Sequence, residues 1–447
     1  MKRRPAEEIS VKHRLLAVIC VAALAAGCRN EVKPAASGQL DAIARDYVLL
    51  SLTIGEKEDG YIDAYYGPPE LQAKAKADAP GQSLDALARR ADELSNRVVD
   101  ASGHAEGMDQ RRARFLLGQL TAAETRLRML KGEKLSFDDE AKGLFAVRPQ
   151  LKPLSSYDPV LKRVDALVPG SGPLDQRVEA FSKQFTIPTS KLKPVFDAAI
   201  AECKARTVKH IKLPKGENFE LAFVTGKSWG GYNYYQGGYQ SRIEVNTDLP
   251  TRVSRAVDLG CHEGYPGHHV LNALLEQRLT KGHNWIEFSV YPLYSPQSLL
   301  AEGSANYGIE LAFPGRERLA FETARLYPLA GLSTARAEQY FELQNAMRDL
   351  QGARLTISRD QLDGKIDEAE AVRLTQRYLL VSPERAKKLT DFTKQYRSYV
   401  INYGLGLDMV RADVEAAGPT PEARWKRMEQ LLSEPTLPSD LKGSATK

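Results

Sequence analysis

The chain has 447 residues, of which 43% are hydrophobic and 27% charged, and a formal net charge of +5. Such a composition belongs to a globular protein long enough for more than one lobe, and it excludes a disordered or fibrous chain. The small basic excess gives no reason to expect nucleic acid or an acidic partner. In chain order, the first feature is "KHRLLAVICVAALAAGC", with a basic start at Lys12 and Arg14, an apolar run from Leu15 to Ala26 and small residues before Cys28. That run is too short to span a bilayer, and it predicts a removable export signal over residues 1–27. Two acids and a proline in "MKRRPAEEIS" sit oddly ahead of it and make Val11 an alternative start to Met1. Removing 1–27 takes away five basic and two acidic residues and leaves a charge of about +2.

Residues 28–39 read as a tether. An N-terminal helical lobe is predicted over 40–210, from amphipathic stretches such as "LDALARRADELSNRVVD" and "RRARFLLGQLTAAETRLRMLKG" broken at Pro, Gly and Ser clusters. Near residue 218 the texture changes to short β-like segments, "FELAFVTG" and "SRIEVNT". Between them "WGGYNYYQGGY" has two readings. It is a twisted hairpin with stacked tyrosines, or a flap offering Trp229, Tyr232, Tyr234 or Tyr235 to a substrate. After Pro250 the pattern is helical again. A second lobe, holding the histidine-rich stretch, is expected over 211–435 and a flexible tail over 436–447. The fold class is therefore mainly α with a small β element and a cleft between two lobes. Cys203 and Cys261 are able to pair in an exported compartment, although Cys261 beside His262 reads more simply as a small buried residue.

The chemistry gathers in "DLGCHEGYPGHHV", residues 258–270. His262 and Glu263 begin the His-Glu-x-x-His pattern in which two imidazoles one helical turn apart hold zinc and the glutamate serves as base. Position 266, however, is Pro, and the next histidines are His268 and His269. On a straight helix His268 would lie ~9 Å along the axis from His262, and His269 ~10.5 Å. Pro266 cannot donate a helical hydrogen bond, and Gly267 tolerates unusual backbone angles. A bulge or unwound turn at 264–267 would draw His268 back to the place of the second ligand. Without such a turn, adjacent histidines after Pro-Gly are ordinary polar termini.

His262 to His269 resembles the HExxxGHH signature of a bacterial family of unknown function related to the gluzincin metallopeptidases. The likeness extends through "YNYYQGGYQSRIEVNTDLP" and "LLAEGSANYGIEL" and covers most of residues 40–435. It implies a zincin-like metallohydrolase whose third ligand is a glutamate on a later helix, here Glu302 of Glu302-Gly303-Ser304-Ala305-Asn306-Tyr307. "RSYVINYGLG" loosely matches the family's C-terminal Tyr-Gly segment, and Arg377-Tyr378 the Arg-Tyr before it. The residues around Glu302 agree with that assignment. Ser295 and Pro296 start a helix, no basic residue occurs from Leu293 to Pro314, and Gly303 and Ala305 permit close approach to the His262 segment. Ala25-Ala26-Gly27-Cys28 likewise resembles the lipobox of bacterial lipoproteins, with Ala25 where Leu is preferred. It implies a lipid on Cys28, and Arg29 after it favours the outer membrane, facing the periplasm.

The expected centre is one Zn2+ on His262, His268 and Glu302, with Glu263 as general base and His269 as a supporting or alternative ligand. Tyr399, Tyr403 and His269 are candidate donors to the oxyanion of a tetrahedral intermediate. The "SRIEVNT" strand, as an exposed edge, would bind an extended peptide. The expected activity is hydrolysis of a peptide or amide at the membrane surface. A metal-holding binding or envelope-assembly protein and an amide-forming enzyme are the rival readings.

Overall fold

The structure is a computed structural model that describes residues 36–442. The export signal, Cys28 and residues 28–35 of the tether lie outside the described residues. Within them the chain is mainly α, with five short strands. No helix among the described residues is long and apolar enough to cross a membrane.

The first helices are α1 (Ala36–Gly55), α2 (Pro69–Asp78), α3 (Leu84–Ser102), α4 (Gly107–Leu130) and α5 (Phe137–Phe145), with strand β1 (Ile62–Tyr65) between α1 and α2. Helix α3 shows why such segments fold as they do. Leu87, Ala91, Leu94 and Val98 recur at helical spacing and are all buried, while the Ser83 hydroxyl caps the start by accepting from the Ala86 N–H at 3.1 Å. Helices α6 (Asp158–Leu167), α7 (Leu174–Ser182) and α8 (Leu192–Thr207) lead to β2 (Asn218–Val224), β3 (Gly231–Gly237) and β4 (Gln240–Asn246). Next come α9 (Ser254–Leu259), α10 (His268–Leu275), β5 (Val290–Pro292) and α11 (Pro296–Ala312). The C-terminal part contains α12 (Glu317–Phe321), α13 (Tyr327–Ala330), α14 (Ala337–Arg348), α15 (Gln351–Leu362), α16 (Glu368–Leu379), α17 (Pro383–Tyr396), α18 (Ile401–Glu415) and α19 (Pro421–Leu431).

Strand β4 pairs with β2 in parallel and with β3 antiparallel, giving the order β2-β4-β3. The "SRIEVNT" segment is therefore the central strand, and its expected role as a free edge is corrected. Both of its ladders are already used. The aromatic stretch forms β3 and its turn, so the hairpin reading describes its backbone. Strands β1 and β5 form a separate antiparallel pair.

Two hydrophobic cores lie in one compact body beginning at Ala36. One joins α1–α5 to Val290, Tyr294, Leu299, Leu355 and residues 399–401. The other takes in α6–α8 with nearly all the later helices. The cores thus change over near the Pro-rich stretch around residue 150, rather than at 210, because α6–α8 pack with the later helices. Two smaller boundaries also differ from expectation. Residues 36–39 of the tether are already helix, and the start of the tail is core, since Leu437 and Leu441 are buried at 9% and 3% exposure. At the centre α11 lies against α18, where a Cβ on Gly303 would come within 2.4 Å of the Gly406 carbonyl oxygen. Only glycine permits that approach, and it brings Glu302 beside the residues that lead into α18.

Candidate metal centre

Helix α9 runs into a π-helical turn at Gly260–Gly264 that carries His262 and Glu263. Tyr265 is then extended, the Tyr265–Pro266 peptide bond is cis, and α10 begins at His268. Gly267 is required at the break, because a Cβ there would lie 1.7 Å from the His262 carbonyl oxygen. Its N–H donates to the Cys261 carbonyl at 3.0 Å. The interruption expected from Pro266 and Gly267 is present, with the widened turn beginning earlier, at Gly260. His268 Nε2 consequently lies 3.1 Å from His262 Nε2, where a straight helix would separate the residues by ~9 Å.

Glu302 completes the triangle from α11, which starts at Ser295 with Pro296 in its first turn as expected. The Ser295 hydroxyl does not cap the helix but donates to the Pro292 carbonyl at 2.8 Å. Glu302 Oε2 is 3.2 Å from His262 Nε2 and 3.8 Å from His268 Nε2. Tetrahedral zinc, bound at about 2.0–2.1 Å to nitrogen and oxygen, requires ligand atoms about 3.3 Å apart; the separations of 3.1 and 3.2 Å match that value, and the third, 3.8 Å, is wider. Glu302 Oε2 is buried with no hydrogen-bond partner, while Oε1 accepts from the Tyr399 hydroxyl at 2.8 Å. An orphaned carboxylate oxygen facing two imidazole nitrogens suits a cation. His262 Nδ1 is 3.1 Å from Asn306 Oδ1, so a proton on Nδ1 leaves the Nε2 lone pair free for a metal.

The electrostatics point the same way. Burial opposes charge on His268, yet the carboxylates of Glu302, Glu263 and Asp63 outweigh it and push the imidazole up to about 9. Burial likewise opposes charge on Glu302, but the two imidazoles hold its carboxyl well below the usual range. Glu263 also has a carboxylate oxygen within 4.8 Å of nitrogens of both histidines, so proximity alone admits two carboxylates. Both carboxylates are thus candidates for the third ligand position, and Glu302 Oε2 is buried with no hydrogen-bond partner. Burial raises the Glu263 pKa, with the histidines pulling the other way, which suits a group that must accept a proton.

Tyr399 and Tyr403 have ring centroids 5.9 Å apart. Tyr399 is engaged by Glu302. Tyr403 lines the cleft, and burial and the Glu302 charge raise its pKa so that it keeps its proton and can donate. His269 requires correction. Its Nδ1 is 2.8 Å from Ser241 Oγ and its Nε2 3.0 Å from Glu217 Oε2, so both nitrogens are used in a buried network away from the triangle. Consecutive helical residues point about 100° apart, which separates it from His268. Glu217 in turn accepts from Tyr265 at 2.6 Å and pairs with Lys204 at 2.7 Å.

Three further groups stand at the centre, of which Asn306 and Tyr232 lie in stretches the sequence had marked and Asp63 does not. Asn306 orients His262, the Tyr232 hydroxyl of β3 donates to Asp63, and Asp63 of β1 bears on His268. Burial pushes Asp63 up to about 6, against the pull of Tyr232 and His268. Trp229 and Tyr232 line the cleft, whereas the Tyr235 hydroxyl donates to Glu276 at 2.5 Å. The cleft encloses about 1900 Å³. The sulfur of Cys261, immediately before His262, is bonded to that of Cys203 in α8, which corrects the reading of Cys261 as a lone buried residue.

No protein-family model matches the chain, and no curated protein matches it. Solved structures do resemble it distantly. A protein of Colwellia psychrerythraea described as a candidate lipoprotein is 14% identical, with 80% of this chain and 72% of that one aligned at a TM-score of 0.47. A carboxypeptidase of Pyrococcus furiosus is 11% identical over 90% and 89% of the two chains at a TM-score of 0.46. An M32 carboxypeptidase of Deinococcus radiodurans R1 is 14% identical over 89% of each at 0.35.

Proposed function

We propose that this protein is a zinc-dependent hydrolase of peptide or amide bonds, with the metal held by His262, His268 and Glu302. The observation that carries the reading is the triangle of His262 Nε2, His268 Nε2 and the partnerless Glu302 Oε2, 3.1–3.8 Å apart. The likeness of residues 262–269 to the HExxxGHH signature supports it. When bound, the ion supplies Lewis acidity that polarises a carbonyl and acidifies water. Glu263 takes the proton of the attacking water and returns it to the leaving nitrogen. Tyr403 donates a hydrogen bond to the oxygen that becomes negative in the tetrahedral intermediate. Tyr399 holds Glu302 and Asn306 holds His262, so the ligands need not reorganise. A metal-holding binding protein would need the three ligands but no base, and the buried Glu263 beside them favours catalysis. The lipobox-like residues 25–28 place a lipid on Cys28 in this reading, and hence the protein at the bacterial envelope.

The test is zinc content and hydrolysis in one set of preparations. The wild type should bind about one zinc and cleave members of a peptide library, while His262→Ala, His268→Ala and Glu302→Ala should lose the metal. Glu263→Gln should keep the zinc and lose at least ~10²-fold in turnover. Full zinc occupancy in Glu302→Ala, or full turnover in Glu263→Gln, would refute the assignment.

A further inference from the structure

The cleft wall next to the centre contains cations without counter-ions. Arg354 of α15 has its guanidinium carbon 5.3 Å from the Phe392 ring centroid and 5.8 Å from that of Tyr403. Its Nε is buried with no hydrogen-bond partner. Arg385, in the first turn of α17, also lines the cleft. Neither has a carboxylate partner among the described residues. Among the acids lining the cleft, Glu179 is taken by Arg252 at 2.5 Å, and Asp258 by Arg318 and Glu310 by Arg411, both at 2.7 Å. Burial holds Arg354 below its ordinary pKa, and Arg385, although exposed, is brought down to about 10 by crowding between the cleft walls and by Arg255, Arg252 and Arg354, with Glu179 pulling the other way.

Both placements cost stability. The half-buried Arg354, with its Nε buried and unpartnered, would normally have an anion, and the exposed Arg385 is a cation in the first turn of a helix, where it opposes the helix dipole. The arrangement makes physical sense when a second molecule supplies the negative charge. Guanidinium groups match a planar carboxylate, which accepts paired N–H donors. Tyr403 links Arg354 to the metal centre through a single aromatic ring, so a carboxylate held there would belong to the molecule whose carbonyl lies at the centre.

We propose that Arg354 and Arg385 form a receiving site for a carboxylate of the substrate. This deepens the hydrolase reading, but the binding is measurable without turnover. The probes are three N-acetylated alanine pentapeptides: one with a free C-terminal carboxylate, its C-terminal amide, and an amide with glutamate at the fourth position. Each is titrated calorimetrically into the zinc-loaded Glu263→Gln protein at low ionic strength. At least one carboxylate-bearing peptide should bind roughly 10- to 100-fold tighter than the neutral amide, as expected for hydrogen bonds to a charged group. Comparison of the two carboxylate peptides tells whether a chain end or a side chain supplies the group. Adding Arg354→Gln or Arg385→Gln should remove most of that advantage and leave the neutral peptide's affinity unchanged. Arg385→Gln should also unfold at the same or a higher temperature, which a purely structural arginine would not allow. Equal or undetectable binding of all three peptides, or a preference that survives the double variant Arg354→Gln/Arg385→Gln, overturns the proposal. A binding preference without hydrolysis by the wild type would leave the carboxylate site standing and remove the hydrolase reading. Hydrolysis without any preference would do the reverse.

Discussion

Asp63 is the residue at the centre whose role can be measured with no substrate at all. Burial holds its carboxyl at about 6, against 3.8 for the free group, so the folded chain keeps a proton there that the unfolded chain has released. Such a group is stabilising below the unfolded value, and that stability is lost as pH rises through the folded one. In chelator-treated protein, Asp63→Asn should therefore gain on the wild type between about pH 4 and about pH 6.5, by on the order of 2 kcal/mol. Urea unfolding at several pH values reads the gain, and parallel curves for the two proteins would remove Asp63 from the charged centre. Nothing in "YIDAYYG" foretells this. The role of Asp63 arises only when β1 pairs with β5 and Tyr232 of β3 reaches it. His262, Glu263 and His268 could be read because their chemistry is local, with a helix-breaking Pro-Gly between the two histidines. His269 was misread for the complementary reason, since residue type does not tell which way a helical side chain points.

Helix α11 positions Glu302 through its contact with α18, and that contact depends on missing side chains. A Cβ on Gly406 would meet the Leu299 carbonyl oxygen at 2.6 Å, and one on Gly303 would meet the Gly406 carbonyl at 2.4 Å. Alanine in a helix interior is intrinsically better than glycine by roughly 0.5–1 kcal/mol. Here backbone collides with Cβ, so Gly406→Ala should instead destabilise by about 1–3 kcal/mol. It should also weaken zinc binding, because the helices part at the residue next to Glu302. Thermal unfolding together with zinc competition against a chromogenic chelator checks both effects. A variant of higher Tm with unchanged zinc affinity would show that the helices are not held this closely. The beginning of α11 was legible from Ser295 and Pro296, and Gly303 signalled a close neighbour without saying which. The neighbour of β4 was not legible. Alternation along "SRIEVNT" marks the faces of a strand, whereas its parallel pairing with β2 depends on a connection that carries the chain through β3 first.

Across the whole molecule the candidate metal centre draws on segments far apart in the chain: β1, β3, the π-turn with the start of α10, α11 and the start of α18. Its geometry therefore depends on how firmly the second core holds the π-turn against α8. Cys203 and Cys261 join these two elements, both sulfurs fully buried, across a sequence separation of 58 residues that contains the three-stranded sheet and α9. Composition could not foretell the bond, because two cysteines are no framework and only the packing of α8 on the turn brings their Cα atoms to 5.5 Å. Closing a loop of that length stabilises by about 4 kcal/mol in the chain-entropy relation. Spread over a body of this size, that corresponds to a Tm change of about 5 °C. The double variant Cys203→Ala/Cys261→Ala should accordingly unfold about 5 °C below the wild type. It should also lose zinc to a chelator faster, since the turn bearing His262 is no longer tied to α8. Protein beginning at residue 29 and denatured without reductant should show no free thiol. Two free thiols in that experiment would mean that the bond does not form and that packing alone holds the turn. An intact bond with no change in Tm on its removal would mean that the denatured chain already keeps α8 near the turn.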